Sequence, residues 1–320
     1  MRGPLFSIFF ANLKRGADMP SKTKQLAENA LMLGIALVLL FLSTYTVLGS
    51  LVSFLLPLPF IFLAVSRSVS NMVWISVVYT FLGWILAGPI AATIALMGAV
   101  WGSAMGIVYA KRGKALPAIV AGAAVVFLST VFGLAFMAYG MNFNFQNMLE
   151  ETARMRPSFV TKEQFDQMLA LVKMVLPTSI VMFSFISSAI THGLAGLIGR
   201  RIKKPIPLLK PIREWSFPRS LMYYYFIAMI SILVFGASMQ GTFWETAIMN
   251  VKVMLDAIFT LQGLSFCLFA AYLYGWKRLT PVLVVCLFIF PFLSTILSLV
   301  GIFDLGLRLR EKLETRVKRG

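Results

Sequence analysis

The chain has 320 residues, of which 59% are hydrophobic and only 13% are charged, and its mean hydropathy is +0.85. So few charged residues cannot cover the surface of a water-soluble protein of this length, and the composition therefore indicates a protein that folds within a membrane. The formal net charge of +17 comes from basic residues beside the apolar stretches, where they set the topology and attract anionic lipid headgroups. Since no basic domain stands apart, we expect no nucleic-acid partner.

Residues 1–25 are predicted to form a cytoplasmic N-terminus. The apolar patch from Leu5 to Phe10 is too short to span a bilayer and does not resemble the apolar region of a signal peptide. The codons for Lys14-Arg15-Gly16 can form a purine-rich ribosome-binding sequence a short distance upstream of Met19. Met19 is therefore an alternative start of translation. N-terminal sequencing of the natively expressed protein distinguishes the two starts.

Nine apolar stretches follow, and a helix of about 20 apolar residues crosses a bilayer core. They are 26–48, 50–66, 71–87, 89–110, 115–140, 174–199, 221–240, 254–275 and 281–303. The pattern predicts an all-α polytopic membrane protein with eight to nine transmembrane segments. We divide it into a six-helix unit at 26–199, a basic joint at 200–219, a three-segment unit at 220–303 and a basic tail at 304–320.

Basic residues gather on every second joint, which predicts the orientation because Lys and Arg are enriched on the cytoplasmic side. They are Lys22, Lys24, Arg67, Lys111, Arg112, Lys114, Arg200, Arg201, Lys203, Lys204, Lys210, Arg213 and Arg219. The alternate joints at Gly49 and Gly88-Pro89 carry no charge, and the joint 141–173 has four basic and four acidic residues. The first six spans are therefore predicted to begin and end in the cytoplasm.

The last three spans depart from this alternation. If all three cross, the tail, with six basic residues after Leu307, lies outside the cell, against the charge bias. We favour a cytoplasmic tail with one of the three segments half-inserted, and Pro291 and Asp256 are positions where a span could break. Nine full spans with an exterior tail are the alternative.

The exterior joint 141–173 is predicted to contain two short helices. Thr161 and Gln164 have the spacing of a capping box, and apolar residues follow at the spacing of one helical face. These residues are Phe165, Met168, Leu169 and Val172. A second helical pattern at 147–155 stops before Pro157. We interpret the pair as interfacial helices or, alternatively, as a lid over an outward-facing pocket.

Catalytic motifs are absent from the sequence. It has one histidine, no HExxH or GxSxG motif and no paired acidic residues within a span, so metal-dependent hydrolysis and triad chemistry lack their residues. The stretch from Gly106 to Lys114 ends in Gly-Lys but lacks the spacing of a Walker A loop. We expect no enzymatic activity, no cofactor and no metal site, and any ATP-driven step would require a partner subunit.

Two ionisable residues within the spans, His192 and Asp256, are candidates for a ligand site or cavity, because such groups are costly in hydrocarbon. For His192 we favour a neutral side chain that is hydrogen-bonded in a close helix contact over a ligand or proton site. Asp256 could instead lie at the exterior interface. Asp304 is expected to cap the last span or to pair with Arg308.

Small residues recur every four positions in two spans and allow helices to approach closely. Gly98, Gly102 and Gly106 form such a face in the fourth span, and Ala30 and Gly34 form one in the first. Packing within the chain is the simpler interpretation of each face. Docking of another membrane protein is the alternative.

Several local patterns together resemble the YybS family of bacterial integral membrane proteins. The residues that carry this resemblance are Pro57, Pro59, Pro211, Trp215, Pro218, Gln262, Gly263, Pro291, Asp304 and Arg310. They extend over most of the chain, and their order and spacing are more specific than any single motif.

That family in turn resembles, in its first six spans, the substrate-binding S components of energy-coupling factor (ECF) vitamin transporters. The resemblance implies a six-helix unit with both ends in the cytoplasm. It also implies that Ala30 and Gly34 face a transmembrane partner. The three further spans would then be a C-terminal extension.

Two functions are compatible with these patterns. The first is a non-enzymatic protein that binds a small apolar or amphipathic molecule in the outward half of the first six spans, for uptake with membrane or ATPase partner subunits. The scarcity of charge within the spans argues against a strongly charged ligand. The alternative is a membrane scaffold that recruits a partner through the joint 200–219, which contains seven basic residues, Trp215 and four prolines.

Overall fold

The computed structural model describes residues 22–140, 144–154, 160–276, 279–290 and 292–319. These residues are almost entirely helical and include no β-strand. Six of their helices are long and apolar enough to cross a membrane. The predicted fold class is confirmed: this is an all-α multi-pass membrane protein.

Twelve α-helices follow one another among the described residues. They are α1 (Lys22–Tyr45), α2 (Gly49–Val52), α3 (Leu58–Ala64), α4 (Val69–Arg112), α5 (Ala115–Ala135), α6 (Phe145–Arg154), α7 (Lys162–Arg201), α8 (Ser220–Met239), α9 (Phe243–Leu273), α10 (Leu279–Ile289), α11 (Phe292–Leu307) and α12 (Leu309–Arg319). Short 3-10 turns at Ser53–Leu55 and Ile212–Glu214 precede α3 and α8, and a π turn at Phe136–Gly140 ends α5.

Helix α4 is a hairpin of two spans. Its backbone leaves the helical region at Ala87 and Gly88, and Gly88 has a φ of +76°, which glycine adopts without steric cost. A methyl group on Gly83 would lie 3.1 Å from the Ala95 Cβ, whereas twelve residues of straight helix would separate the two by about 18 Å. The two arms, 69–86 and 89–112, correspond to the third and fourth predicted spans.

The second predicted span, 50–66, is not one continuous helix. Pro57 and Pro59 lack backbone N–H groups, so the chain ends its first helical turns and starts α3 again at Leu58, with Pro59 in the first turn of the new helix. Every residue of α3 is buried. Helix α3 therefore lies in the core, between the helices around it, and is not a lipid-facing span.

The predicted ninth span, 281–303, is divided. Helix α10 ends at Ile289 and α11 begins at Phe292, while Pro291 lies outside the described residues. Helix α11 continues past 303 to Leu307, and a bend of 72° leads from it into α12. The residue at this bend, Arg308, has a φ of +53°.

The chain forms two compact units. One comprises the residues up to Val126 together with Ser187–Pro207, and the other comprises Phe127–Ile186 together with the residues from Leu208. This division differs from the predicted boundaries at 199 and 220, because α5 and α7 each contribute one part to each unit. Helix α7 has 40 residues and is about 60 Å long, roughly twice the thickness of a bilayer core, so its two parts have different neighbours.

Three glycines of α4 make a close helix contact in the first unit. A methyl group on Gly106 would lie 2.6 Å from the Ala64 Cβ, and one on Gly102 would overlap the carbonyl oxygen of Pro57. Gly98 faces Leu56 in the same way. These glycines therefore pack within the chain, against α3 and the residues that precede it.

Ion pairs join three segments at one end of the first unit. The Arg67 Nη2 lies 2.8 Å from Glu28 Oε2, and Lys204 Nζ pairs with the other oxygen of that carboxylate. The Arg67 Nε also donates to Asn29 Oδ1 at 3.1 Å. The start of α1, the turn after α3 and the turn after α7 therefore meet at the same end of this unit, as the charge alternation requires.

The second unit is built around a crossing of α9 and α11. A methyl group on Gly263 would overlap the Leu297 carbonyl oxygen, and one on Gly301 would overlap the Phe259 carbonyl oxygen. The two backbones are thus in direct contact, which only small residues permit.

Candidate functional site

His192 lies in a buried contact between α7 and the second arm of α4. Its Nδ1 is 2.6 Å from the Tyr109 hydroxyl oxygen, and both residues are buried. Because a buried polar group is costly without a hydrogen bond, each of these side chains satisfies the other. This is the hydrogen-bonded helix contact that we favoured for His192.

The same contact continues one turn along both helices. The Ser188 hydroxyl donates to the Ile119 carbonyl oxygen at 2.8 Å and lies 3.7 Å from the Met105 sulfur. Both pairs, 105 with 188 and 109 with 192, are 83 residues apart, so the two helices run parallel in a constant register. We call this part of the two helices the polar seam, and we include the neighbouring polar residues on each side: Trp101, Met105 and Tyr109 of α4 and Ser187, Ser188 and His192 of α7.

One end of the polar seam contains polar atoms without partners. Trp101 Nε1 and Ser187 Oγ are buried and have no hydrogen-bond partner among the described residues, and the same holds for Ser103 Oγ elsewhere on α4. Serine in a helix can donate to the carbonyl oxygen four residues back, as Ser184 does to Ile180 at 2.8 Å. Trp101 and Ser187 each lie within about one helical turn of the Met105–Ser188 contact.

The polar seam contains no Asp, Glu, Lys or Arg. Its polar groups are an indole, a phenol, an imidazole and two hydroxyls, and apolar residues of α3, α5 and α7 pack against Met105 and Tyr109. Such a surface suits an uncharged group better than an ion, because a charge buried there would have no counter-charge.

Asp256, the other predicted candidate, lies in the second unit. Its carboxylate accepts a hydrogen bond from Lys252 Nζ at 2.7 Å, one turn back on α9. The ion pair neutralises both charges within the apolar helix. Among the described residues, no group of three or more His, Cys, Asp or Glu side chains could hold a metal ion.

Four of the motif residues converge on one buried network in the second unit. Asp304 Oδ2 accepts hydrogen bonds from Arg310 Nε at 2.9 Å and from Gln262 Nε2 at 2.5 Å. The partner of Asp304 is therefore Arg310, and the expected pairing with Arg308 is wrong. Arg308 instead lies 3.7 Å from Glu311, because the bend after α11 directs Arg308 away and brings Arg310 back towards Asp304.

The network holds the backbone of the basic joint. Arg310 Nη1 donates to the Arg213 carbonyl oxygen at 3.1 Å, and the Phe217 N–H donates to Gln262 Oε1 at 3.0 Å. Ser265 Oγ lies 2.8 Å from the Trp215 carbonyl oxygen and 2.9 Å from Arg310 Nη2. Sequence reasoning missed Ser265, although it lies one turn after Gln262 on the same helix.

Comparison with known proteins identifies the family of this chain. Residues 33–305 match the family model described as "Predicted membrane protein (DUF2232)". The chain belongs to this family. It is also 29% identical over 313 residues to the uncharacterized protein YybS of Bacillus subtilis (strain 168), a match that covers 92% of this chain and 99% of the relative. No solved structure matches.

The region that matches the DUF2232 family includes the polar seam and nearly all of the network in the second unit. Arg310 lies just beyond it, and Ala30 just before it. Two further motif residues, Pro211 and Pro218, are exposed and lie on either side of the 3-10 turn whose backbone the network binds.

The small residues of α1 have no packing partner among the described residues. Ala30 and Gly34 are both exposed, and no atom lies within 4 Å of the position that a methyl group on Gly34 would occupy. This face differs from the glycine face of α4, which is filled by α3.

Proposed function

We propose that this protein is a non-enzymatic binding protein of the bacterial inner membrane, and that it takes up a small amphipathic molecule together with partner subunits, as S components do. The polar seam is the observation that supports this function. It offers a buried indole N–H and a buried serine hydroxyl, neither of which is satisfied by the described residues.

The chemistry of these two groups suggests the ligand class. An indole N–H only donates, so the ligand must offer an acceptor such as a carbonyl or hydroxyl oxygen. A buried polar group without a partner costs about 1–3 kcal/mol, and acceptor groups of a ligand that bond to Trp101 and to Ser187 would remove that cost. The surrounding apolar side chains favour a ligand with an apolar body and no net charge.

The proposed orientation places the seam's open end near the middle of the membrane. We assign the end with Glu28, Arg67 and Lys204 to the cytoplasm, because it holds basic residues of alternate joints. Trp101 precedes Arg112 at the end of α4 by eleven residues, which corresponds to about 16 Å, roughly half of a bilayer core.

Two features suggest the proposed partners: the sequence has no Walker A loop, and one face of α1 is exposed. With no Walker A loop in the sequence, an energised uptake step requires a separate ATPase. The exposed face of α1 at Ala30 and Gly34 suits a transmembrane partner subunit, since small residues allow close helix approach.

Native mass spectrometry of the gently solubilised protein tests this function. We expect a bound small molecule on the unmodified protein and on Trp84→Phe, a variant of an exposed tryptophan of α4. The adduct should be lost from the double variant Trp101→Phe, Ser187→Ala. Reproducible absence of both an adduct and a co-purifying ATPase from the unmodified protein would remove the proposal.

A second candidate function is a membrane scaffold that recruits a partner through the joint 200–219. It is favoured by one observation: the network around Arg310 holds the backbone at 212–217, while basic side chains of the joint stay exposed. These are Arg200, Arg201, Lys203, Lys210 and Arg219. In-cell cross-linking from this joint should capture a partner, and replacing these five residues by Gln should abolish the capture; no capture from the unmodified joint would reject the scaffold.

A further inference from the structure

Helix α7 changes character at Pro177. Proline lacks the N–H that would bond to the carbonyl oxygen of residue 173, and its ring clashes with that turn, so it bends or breaks a helix. Every residue of α7 before Pro177 is exposed or half-buried, and Thr178 is the first buried one. Pro177 therefore separates a part of α7 that packs in the protein from a part that does not.

Asn250 of α9 bonds to the backbone on both sides of this proline. Its Nδ2 donates to the Met174 carbonyl oxygen at 2.7 Å, and the Thr178 N–H donates to its Oδ1 at 3.0 Å. In an unbroken helix these two backbone groups would bond to each other. The Thr178 hydroxyl adds a bond to the Asn250 carbonyl oxygen at 3.0 Å.

Residues 162–176, which we call the outer arm, form a helix with its own N-terminal cap. The Thr161 N–H donates to Gln164 Oε1 at 3.1 Å, and the Gln164 N–H donates to Thr161 Oγ1 at 3.2 Å, which confirms the predicted capping box. The outer arm has few packing contacts, and its apolar side chains remain exposed. They include Met168, Leu171, Val172 and Leu176.

We propose that Pro177 is a hinge on which the outer arm turns relative to α9, and that Asn250 is the positioning residue that supports the backbone at this hinge. A segment with few buried contacts opens at low cost in free energy, whereas backbone groups freed at a break in a membrane helix need another partner. Asn250 supplies that partner with one amide. The outer arm could then turn about Pro177 as a lid would. A lid over an outward-facing pocket was one of the two interpretations of the exterior joint.

Distance measurement between paired spin labels tests the hinge. In full-length protein in lipid nanodiscs, with Cys267 and Cys286 replaced by serine, one label at Ala237→Cys on α8 is paired with a second at Asp166→Cys in the outer arm. The matched control pairs Ala237→Cys with Phe183→Cys, beyond the hinge on the same helix. All three label positions are exposed.

We expect a broad or double-peaked distribution for 166–237 and a single narrow one for 183–237. Pro177→Ala restores the backbone donor and should narrow the 166–237 distribution alone. A 166–237 distribution as narrow as the control, and unchanged by Pro177→Ala, would overturn the hinge.

A double-mutant cycle tests the role of Asn250. Asn250→Ala should lower the melting temperature of the otherwise unmodified protein, and the loss should be at least halved in the Pro177→Ala background, where Thr178 can bond directly to Met174. Equal losses in the two backgrounds would show that Asn250 does not act through the break. Neither measurement depends on a ligand, so the hinge can fail while the proposed function stands, and the reverse.

Discussion

The two units of this protein pack closely in the same way, through glycines, but the polar seam of the first and the Arg310 network of the second satisfy their buried polar groups differently. In the first unit, glycines of α4 let the backbone of α3 approach closely, and the polar seam contains a hydrogen bond between Tyr109 and His192 but no ion pair. In the second unit, Gly263 and Gly301 allow α9 and α11 to come into backbone contact, and the Arg310 network includes an ion pair between Asp304 and Arg310.

The difference between the two polar contacts follows from the backbone that lies beside each of them. The ion pair of the second unit lies beside the irregular backbone of the joint, whose N–H and C=O groups need several partners, and a guanidinium offers five donors. The polar seam joins two regular helices whose backbone groups are already satisfied, so single neutral hydrogen bonds suffice. Of these two contacts, the charged one is therefore the one that binds loop backbone.

The largest effect is expected from breaking the ion pair. Arg310→Met leaves Asp304 buried without its counter-charge, and removing one partner of a buried pair costs about 3–5 kcal/mol. The unfolding free energy of the purified protein should fall accordingly. Arg308→Met is the control, because the Arg308 side chain is more than half exposed, and it should change little.

The double variant Asp304→Leu, Arg310→Met sharpens the same prediction. It removes both charges, so stability should recover part of the loss seen with Arg310→Met alone. A double variant that is less stable than Arg310→Met would show that the hydrogen bonds to the joint, and not the uncompensated charge, dominate.

A smaller effect is expected from filling the glycine contacts. Gly102→Leu and Gly263→Leu insert a side chain where backbones touch, and overpacking costs on the order of 1–3 kcal/mol. Both should lower the melting temperature, whereas Gly34→Leu on the open face of α1 should leave it unchanged. Gly102→Leu that keeps full stability but loses a co-purifying partner would contradict the packing of α4 on α3.

The smallest effect is expected in the polar seam. Tyr109→Phe removes one neutral hydrogen bond and should cost about 1 kcal/mol, measured as a modest fall in melting temperature. Tyr45→Phe, at an exposed tyrosine, should have no effect. A loss as large as that of Arg310→Met would mean that the two units do not differ in the way described.

The helix boundaries show how far local signals reach. The capping box at Thr161 marked the start of α7 although the predicted span began only at 174. The same capping signal, Thr242 with Glu245, precedes the eighth predicted span, which was placed to start at 254. The Glu245 N–H donates to Thr242 Oγ1 at 3.4 Å, and α9 begins at Phe243. Both caps are local hydrogen bonds, so both could be predicted from the sequence.

The sequence by itself determined that this is an all-helical membrane protein, because apolar length and the position of charges are properties of single segments. It also marked Gln262, Gly263, Asp304 and Arg310 as a set. It could not determine that Gln262 and Asp304 meet Arg310 in one network, since that depends on the 72° bend after α11.

Tertiary structure alone decided which face of each helix has a partner. The faces at Gly102 and at Gly34 look alike in sequence, yet one is filled by α3 and the other is open. Likewise, no local pattern links Asn250 to Pro177, 73 positions apart in the chain. Such contacts depend on where helices cross, and crossing is set by the packing of all side chains together rather than by the preferences of any one segment.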